Sequence, residues 1–406
     1  MPAASSVGPD AAAEDLSGVR VCYFGHFSHV YPRNETLRAA LTASGADVVD
    51  VWDESSNVAV RYWRLLRAAR GTHFDVLFVG WPGHTDVPLA WLLGKLRRAP
   101  VVFDAYVSIW ETQVVDRGRF EASSARARLL ALLDRSACRL ATVVLFDTDA
   151  HIRFAVERFR LDRTRFRRVP IAADSSRAPC PPNAGDGPFR VCFYSTFMPL
   201  HGAEVIVGAA AKVYAEDPSI QFELIGDGPT LGAVRQRAAE LAPVNITFTG
   251  PIGQDELRRR LCSADVCLGI FGTTGKASRV LPNKVIDALA LGRPVVTGDT
   301  EGARELLTDG VDAVLCAPGD EGELAAAILR LSRDPELRSA VASGGRTLFE
   351  RRFSLDALRR TLVPVMREAL SGYSSRPRVS SSGQLASCSE STMTGSGQEI
   401  PSAGSS

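Results

Sequence analysis

The segment GKASRVLPNKVIDALALGRPVV, residues 275–296, places charged side chains before and inside an apolar helix pattern. Lys276, Arg279 and Lys284 precede or begin the pattern, and Asp287 lies inside it, one turn after Lys284. Three cations can neutralise a phosphate-like anion, and a carboxylate can accept hydrogen bonds from two hydroxyls. The alternatives are a solvated basic loop and a half-buried structural acid, because buried acids need partners.

Glycines at two further places could let the backbone approach an anion. In FELIGDGP, Gly226 and Gly228 directly follow a strand-like run, where backbone amides can reach a phosphate; a tight turn is the alternative. In DTEGARELL, Gly302 falls where a helix pattern begins, so free amides are expected there.

Polar residues also follow strand-like runs in the first half of the chain. Asp104 ends the run APVVFD, and Asp116 follows in VVDR. Either carboxylate could orient a substrate hydroxyl, because functional groups gather at the ends of strands in such sheets. Tyr31, Arg33 and Asn34 follow the first run, and the family resemblance described below implies that the loop there faces the acceptor.

The stretch LFDTDAH, residues 145–151, allows two interpretations. An Asp-x-Asp pair suits Mg²⁺ or Mn²⁺. However, Asp149 begins an apolar helix pattern, where an acid is favourable as a cap or first-turn charge. We therefore predict a helix cap and no metal. His151 is either an acceptor-side residue or part of the helix surface.

Short apolar runs separated by helix-length segments must position these residues. The runs are VRVCYFG (19–25), ADVVDVW (46–52), FDVLFVGW (74–81), APVVFDA (99–105), TVVLFD (142–147), FRVCFYS (189–195), IQFELIGDG (220–228), NITFTG (245–250), ADVCLGIF (264–271), PVVTGD (294–299) and DAVLCAP (312–318). Such alternation predicts parallel sheets buried on both faces. The predicted fold class is α/β, with two Rossmann-like, doubly wound domains facing a cleft.

Turn-rich and polar stretches divide the chain. We predict a flexible lead at 1–18, a first domain at 19–175, a linker at 176–188, a second domain at 189–355 and a final helix at 356–372 that crosses back to the first domain. The stretch 373–406 is rich in Ser and Gly and is predicted to be disordered.

Composition bounds the class of protein. A chain of 406 residues with 45% hydrophobic residues can build two cores, and a net charge of +1 argues against nucleic-acid binding. The eight cysteines include no C-x-x-C and are expected to be buried small hydrophobes in a reducing compartment. No signal-peptide pattern or 18-residue apolar run is present, so a cytoplasmic location is expected.

The segment SRVLPNKVIDALALGRPVVTGD resembles the donor site of GT-B-fold nucleotide-sugar glycosyltransferases, in the broad retaining bacterial family 4 (group 1 type). STFMPLHG, LIGDGP, TFTGPI and FDAYVSIWETQVVDR support the resemblance, which covers residues 19–370 and is strongest at 189–307. It implies that Asp287 binds the donor ribose, although glutamate is usual there. Asn283, Thr196 and the glycines are further expected donor contacts, and His201 is grouped with Asp104 and Asp116 as a candidate catalytic residue.

The chain departs from the family at three positions. The acid expected eight residues before Asp287 is replaced by Arg279, and two expected basic residues align with Thr196 and His201. We therefore expect Lys276, Arg279 and Lys284 to neutralise the pyrophosphate, and His201 to add a neutral donor or partial charge.

The resemblance implies metal-independent transfer of a hexosyl unit to a hydroxyl acceptor with retained configuration. It names no cofactor besides the nucleotide-diphosphate sugar, and the acceptor could be a glycan, a lipid-linked sugar or a secondary metabolite. The alternatives are a non-catalytic nucleotide-sugar-binding protein and an NDP-sugar 2-epimerase. An NAD-dependent dehydrogenase is disfavoured, because no G-x-G-x-x-G follows the first strand.

Arginine-rich helices in the first domain suggest a further partner. Residues 117–168 contain 13 arginines and 6 acids. Basic amphipathic helices can lie on anionic membranes, so peripheral contact with the inner face of a membrane is one expectation; an ordinary solvated helix face is the other.

Overall fold

The computed structural model describes residues 15–173, 179–181, 187–241 and 245–374. Nearly all of the predicted lead and tail, and most of the predicted linker, lie outside these ranges. The described residues form two parallel sheets of six strands each, with helices on both faces. Within them, no helix combines the length and apolar character needed to cross a bilayer.

The first sheet has the strand order β2-β1-β3-β4-β5-β6. Its strands are β1 Arg20–Gly25, β2 Asp47–Trp52, β3 Val76–Val79, β4 Val101–Tyr106, β5 Val143–Phe146 and β6 Phe166–Arg168. The helices between them are α1 Pro32–Ala43, α2 Val58–Ala69, α3 Val87–Arg97, α4 Ala125–Leu140 and α5 Asp149–Phe159. The strands β3, β4 and β5 are buried along their whole length, as expected for a sheet covered on both faces.

The second sheet has the strand order β12-β11-β10-β7-β8-β9. Its strands are β7 Arg190–Ser195, β8 Gln221–Gly226, β9 Ile246–Thr249, β10 Val266–Leu268, β11 Val295–Gly298 and β12 Val314–Cys316. Its helices are α6 Ala203–Glu216, α7 Leu231–Leu241, α8 Gln254–Ser263, α9 Gly275–Arg279, α10 Asn283–Ala290, α11 Glu301–Arg304, α12 Glu321–Arg333 and α13 Pro335–Arg352.

The last helix, α14 Leu355–Ser374, packs on the first sheet. Leu358, Leu362 and Met366 are buried in one cluster with Val21 and Val102 of that sheet. This contact joins α14 to the N-terminal domain.

The predicted fold class is confirmed, and all eleven predicted runs contain a strand. The strand β6 was missed, because three residues that include two arginines give no hydrophobic pattern. Asp104 does not end β4, which continues to Tyr106 through an irregularity in the register. A loop was expected at Tyr31–Asn34, but the helix α1 already begins at Pro32. Proline suits the first position of a helix.

The expectation for the cysteines was wrong at one pair. Cys180 and Cys262 form a disulfide, with Cα atoms 5.5 Å apart, which ties residues 179–181 to α8. Cys22, Cys138, Cys192, Cys267 and Cys316 are free and buried. The pairing was invisible in the sequence, because 82 residues separate its two members and neither lies in a recognisable motif.

Candidate functional site

Lys284 is a buried cation at the start of α10. Its side chain is 6% exposed, and no described acceptor lies within hydrogen-bond distance of Nζ. The ring of Phe193, 4.7 Å from Nζ, gives partial compensation. Burial lowers the pKa of Lys284 to about 7. A cation in a first helical turn also opposes the helix dipole, so an anionic ligand would complete this site.

Asp287 lies one turn further along α10 and is partly exposed. The hydroxyl of Tyr194, near the end of β7, donates a hydrogen bond to Asp287 Oδ2. This contact fixes the carboxylate at the carboxyl end of the sheet, where ligands bind in doubly wound folds. The sequence analysis missed Tyr194, because the contact depends on how α10 lies over β7.

His201 is held as a neutral donor. Its Nδ1 accepts a hydrogen bond from the backbone N–H of Met198 at 3.1 Å and lies 2.6 Å from Ser195 Oγ. The ring proton is therefore assigned to Nε2. Burial, and then the charges of Lys284 and Lys276, lower the pKa of His201 to about 2. His201 can donate a hydrogen bond near the two lysines without adding charge.

Three glycines, at the end of β8, after it and in α11, allow backbone segments to approach closely. Gly226 has φ +119° and Gly228 has φ +155°, and a Cβ on Gly228 would lie 1.8 Å from the carbonyl oxygen of Thr196. Gly302 is the second residue of α11, and its Cβ would lie 2.3 Å from the carbonyl oxygen of Arg279. Only glycine fits at these positions.

Lys276 lies where the two domains meet. Its Nζ donates a hydrogen bond to Thr112 Oγ1 of the first domain at 2.9 Å. Burial lowers the pKa of Lys276, against the opposing charges of Asp116 and Glu111. Burial raises the pKa of Asp116, against the opposing charge of Lys276. The structure thus brings Lys276 and Asp116 together across the interface.

Arg279 turns toward the first domain. Its Nη1 lies 3.1 Å from Glu111 Oε1, and its guanidinium lies 4.2 Å from the centre of the Phe154 ring. The same nitrogen donates a hydrogen bond to the carbonyl of Gly275. These partners occupy Arg279. Of the three cations predicted to contact the phosphates, Lys276 and Lys284 therefore remain candidates.

His151 is fully buried, so it does not belong to the helix surface. Its Nδ1 lies 2.6 Å from Asp147 Oδ1, and its Nε2 lies 3.7 Å from Glu111 Oε2. The sequence analysis passed over Glu111, which lies on a π-helical turn, Glu111–Asp116. No sequence pattern indicated that this turn faces Arg279.

Arg33 and Asp104 form a buried pair inside the first domain. Arg33 Nε and Nη2 donate hydrogen bonds to both oxygens of Asp104 at 2.7–3.0 Å, and Nη1 donates to the Val169 carbonyl at 3.0 Å. Burial raises the pKa of Asp104, against the opposing charge of Arg33. Their mutual contacts account for both residues, so the predicted acceptor roles find no support here.

The other two residues predicted to face the acceptor, Asn34 and Tyr31, have different surroundings. The buried Asn34 amide accepts from the hydroxyl of Tyr23 and donates to the carbonyls of Ser28 and Trp81. Tyr31 is different, because its ring packs 4.6 Å from Trp81 as part of an aromatic group. The acceptor-side role of Tyr31 stays a prediction.

The side chains of residues 147–149 all contact other residues of the protein. Thr148, and not Asp149, is the N-cap of α5, since its hydroxyl accepts from the backbone N–H of His151 at 3.1 Å. Asp149 pairs with Arg163 and Arg168, and Asp147 with His151. Among the described residues, no group of three or more His, Cys, Asp or Glu is arranged to hold a metal ion.

A cavity elsewhere in the second domain is not expected to bind the ligand of this sheet. It has about 550 Å³ and is lined by Arg190 and Gln221, the first residues of β7 and β8. It therefore lies at the amino ends of the strands, whereas ligands of such sheets bind at the carboxyl ends.

Residues 188–334 match the model of the family described as "Glycosyl transferases group 1". A GDP-mannose-dependent alpha-(1-6)-phosphatidylinositol monomannoside mannosyltransferase of Mycolicibacterium smegmatis is 29% identical over 165 residues, 40% of this chain and 43% of that protein. An alpha-D-kanosaminyltransferase of Streptomyces kanamyceticus is 27% identical over 41% of this chain and 42% of that protein. The chain thus spans less than half the length of these curated relatives.

Solved structures match nearly the whole chain at the level of fold. Anabaena HepE in complex with UDP and glucose gives a TM-score of 0.64 at 14% identity, covering 86% of this chain and 99% of that one. Sucrose-phosphate synthase from Thermosynechococcus elongatus gives 0.67 at 16% identity, covering 87% and 100%. The fold is that of GT-B glycosyltransferases, and the resemblance to group 1 glycosyltransferases is confirmed.

Proposed function

We propose that this protein, whose residues 188–334 form a group 1 glycosyltransferase domain, moves a hexosyl unit from a nucleotide-diphosphate sugar to an acceptor hydroxyl. The observation that carries the proposal is Lys284, a buried ammonium at a helix start with no hydrogen-bond acceptor among the described residues. A diphosphate supplies the missing negative charge. The GDP-mannose-dependent mannosyltransferase and HepE, which was solved with UDP and glucose, support the choice of a nucleotide sugar.

Each neighbour of Lys284 then takes a defined part. Asp287, oriented by Tyr194, accepts hydrogen bonds from the two ribose hydroxyls. Lys276 approaches the diphosphate from the domain interface, and His201 Nε2–H donates to a phosphate oxygen. Asn283, the first residue of α10, has a buried side-chain oxygen without a described partner and lies beside the same position.

The reaction needs the charge of the departing diphosphate to be stabilised. The bond between the sugar C1 and the diphosphate oxygen breaks, and a bond from C1 to the acceptor oxygen forms. The acceptor proton passes to the departing diphosphate, so no protein base is required. Fixed cations in a water-excluded cleft favour this step, because the charge develops where they already point. Retention of configuration and independence from metal are part of the proposal.

A panel of nucleotides tests the donor site. UDP, GDP, ADP, CMP and dTDP, each with and without Mg²⁺, should include one diphosphate that raises the Tm of the wild-type protein without metal. Lys284→Met should lose the shift, whereas Lys212→Met, at an exposed lysine in the second half of α6, should keep it. If no nucleotide shifts the Tm, the proposal of a donor site at Lys284 is wrong.

Turnover of the matching nucleotide sugar separates the remaining alternatives. Consumption that requires an added acceptor supports the transferase. Formation of an epimer without acceptor would identify a 2-epimerase, and binding without any turnover would identify a non-catalytic nucleotide-sugar-binding protein.

We propose further that α4 contacts an anionic membrane that carries the acceptor. Leu129 and Leu132 are 65% and 57% exposed on this helix. Beside them lies a cavity of about 380 Å³ lined by arginines 128, 135, 158 and 160. Exposed leucines next to arginines are typical of interfacial helices. Co-sedimentation with vesicles containing phosphatidylglycerol, but not with pure phosphatidylcholine, supports this contact, and Leu129→Gln with Leu132→Gln should weaken it.

A further inference from the structure

Glu111 is a buried carboxylate whose hydrogen-bonding capacity is unfilled. Its side chain is 0% exposed, and neither carboxylate oxygen accepts a hydrogen bond from any described residue. Arg279 Nη1 at 3.1 Å and His151 Nε2 at 3.7 Å supply opposite or partial charge only. A buried carboxylate without donors is costly, so donors from a ligand would stabilise it.

The turn that carries Glu111 is held rigidly. Asp134 accepts hydrogen bonds from Ser108 Oγ at 2.6 Å and from the backbone N–H of Trp110 at 2.9 Å. Ser108 Oγ in turn accepts from the backbone N–H of Glu111 at 3.0 Å. Asp134 is itself buried, so the position of Glu111 does not depend on a mobile surface contact.

Lys276 connects Glu111 to the proposed diphosphate site. Its Nζ bonds Thr112, the neighbour of Glu111 in the chain, and its charge acts on both Glu111 and His201. The charge of Lys284 also acts on His201, and more strongly than that of Lys276. Glu111 and the two lysines therefore lie around the same part of the interface between the domains, so a sugar attached to a diphosphate bound by the lysines would be placed near Glu111.

We propose that the Glu111 carboxylate accepts hydrogen bonds from hydroxyls of the sugar being transferred. The inference rests on the proposed function, because it takes the sugar to be attached to a diphosphate at Lys284 and Lys276. A carboxylate suits a sugar, since its two oxygens can accept two hydroxyl hydrogen bonds at once. Arg279 then keeps Glu111 ionised and in place.

Isothermal titration of the free nucleoside diphosphate and of the matching nucleotide sugar tests this role. Glu111→Gln keeps the shape of the side chain and removes its charge. We expect it to weaken the nucleotide sugar by about tenfold or more, while the free diphosphate stays within about twofold. Arg279→Gln removes the ion pair but keeps the carboxylate, and Glu121→Gln changes an exposed acid of the same domain.

The two control variants separate sugar binding from a structural ion pair. If Glu111 only holds Arg279, then Glu111→Gln and Arg279→Gln will change both ligands alike, and the proposal is overturned. It is also overturned if Glu111→Gln binds both ligands like the wild type. Failure of the wild type to bind any diphosphate would instead contradict the proposed function. The result for Glu111→Gln alone does not bear on that function.

Discussion

The Glu305 carboxylate of the second domain caps the helix that begins at Asp149 in the first domain. Its two oxygens accept hydrogen bonds from the backbone N–H groups of Asp149 and Ala150, both at 2.7 Å. Arg153 and Arg168 add ion pairs at 3.4 and 3.7 Å. Because helix N-terminal N–H groups lack partners within their own helix, this contact stabilises the packing of the two domains against each other.

Removing this cap should destabilise the folded protein. We expect Glu305→Ala to lower the free energy of unfolding by about 1–2 kcal/mol, as loss of a helix cap does. Glu301→Ala is a matched control, because Glu301 also pairs with Arg153 but is exposed and caps nothing across the interface. We expect the control to cost about 0–1 kcal/mol. Urea unfolding measures both, and equal losses would show that the cap contributes nothing.

The affinity for a nucleotide sugar should depend on pH through Lys284. Its pKa is about 7 in the free protein, and a bound diphosphate will raise it. Below pH 7 the ammonium is charged with or without ligand, so affinity is constant. Above pH 7 binding must take up a proton, and affinity falls by up to about tenfold per pH unit.

Calorimetry in buffers of different ionisation enthalpy measures this proton uptake directly. The nucleotide sugar is the better ligand, because its esterified diphosphate has no group that titrates near pH 7. Lys284→Met should bind weakly and lose the slope between pH 7 and 9. An unchanged slope in the variant would show that another group takes up the proton. Lys276 is the first candidate, because burial also lowers its pKa.

The Gly-Asp-Gly turn should not tolerate a side chain. We expect Gly228→Ala to destabilise the protein by about 2 kcal/mol or more and to disturb the loop that contains Thr196, because the new Cβ would overlap a carbonyl oxygen. Gly232→Ala is the matched control, since open space surrounds Gly232 in the helix α7. Thermal unfolding of both variants decides the matter. Equal stability of the two would contradict the close approach.

The disulfide should stabilise the C-terminal domain. Peptide mapping under non-reducing conditions should recover Cys180 joined to Cys262. Reduction, or Cys180→Ser, should lower the free energy of unfolding by about 2–5 kcal/mol, because the bond closes a long loop in the unfolded chain. Cys138→Ser, at a buried free cysteine, is the control that reductant leaves unaffected. If mapping finds both cysteines as free thiols, the bond does not form.

The sequence predicted the sheets because buried parallel strands leave a strong signal. Runs such as VVFDA are apolar at nearly every position, and their spacing by helix-length segments is typical of doubly wound sheets. The short strand β6 escaped because its Arg167 and Arg168 hide its pairing with β5. The predicted N-cap of α5 was Asp149, and the observed one is Thr148, one residue earlier. The two could not be told apart because both side chains can cap a helix.

The chemistry of the site was only partly readable. Lys284 and Asp287 stand close together in the chain, so helix periodicity alone predicted their proximity. Glu111 and Arg279 are 168 residues apart, and Arg33 finds Asp104 at a separation of 71. These contacts depend on how domains and helices pack, and no local pattern encodes that packing.

The most direct test of the donor site compares a ribonucleoside diphosphate with its 2′-deoxy analogue, on the wild type and on Asp287→Ala. If Asp287 binds the ribose hydroxyls, the wild type should bind the deoxy analogue about tenfold or more weaker. Asp287→Ala should bind both ligands weakly and equally, because the lost hydroxyl has no partner left. If the variant still discriminates between the two ligands as the wild type does, Asp287 does not bind the ribose and the proposed donor site is wrong.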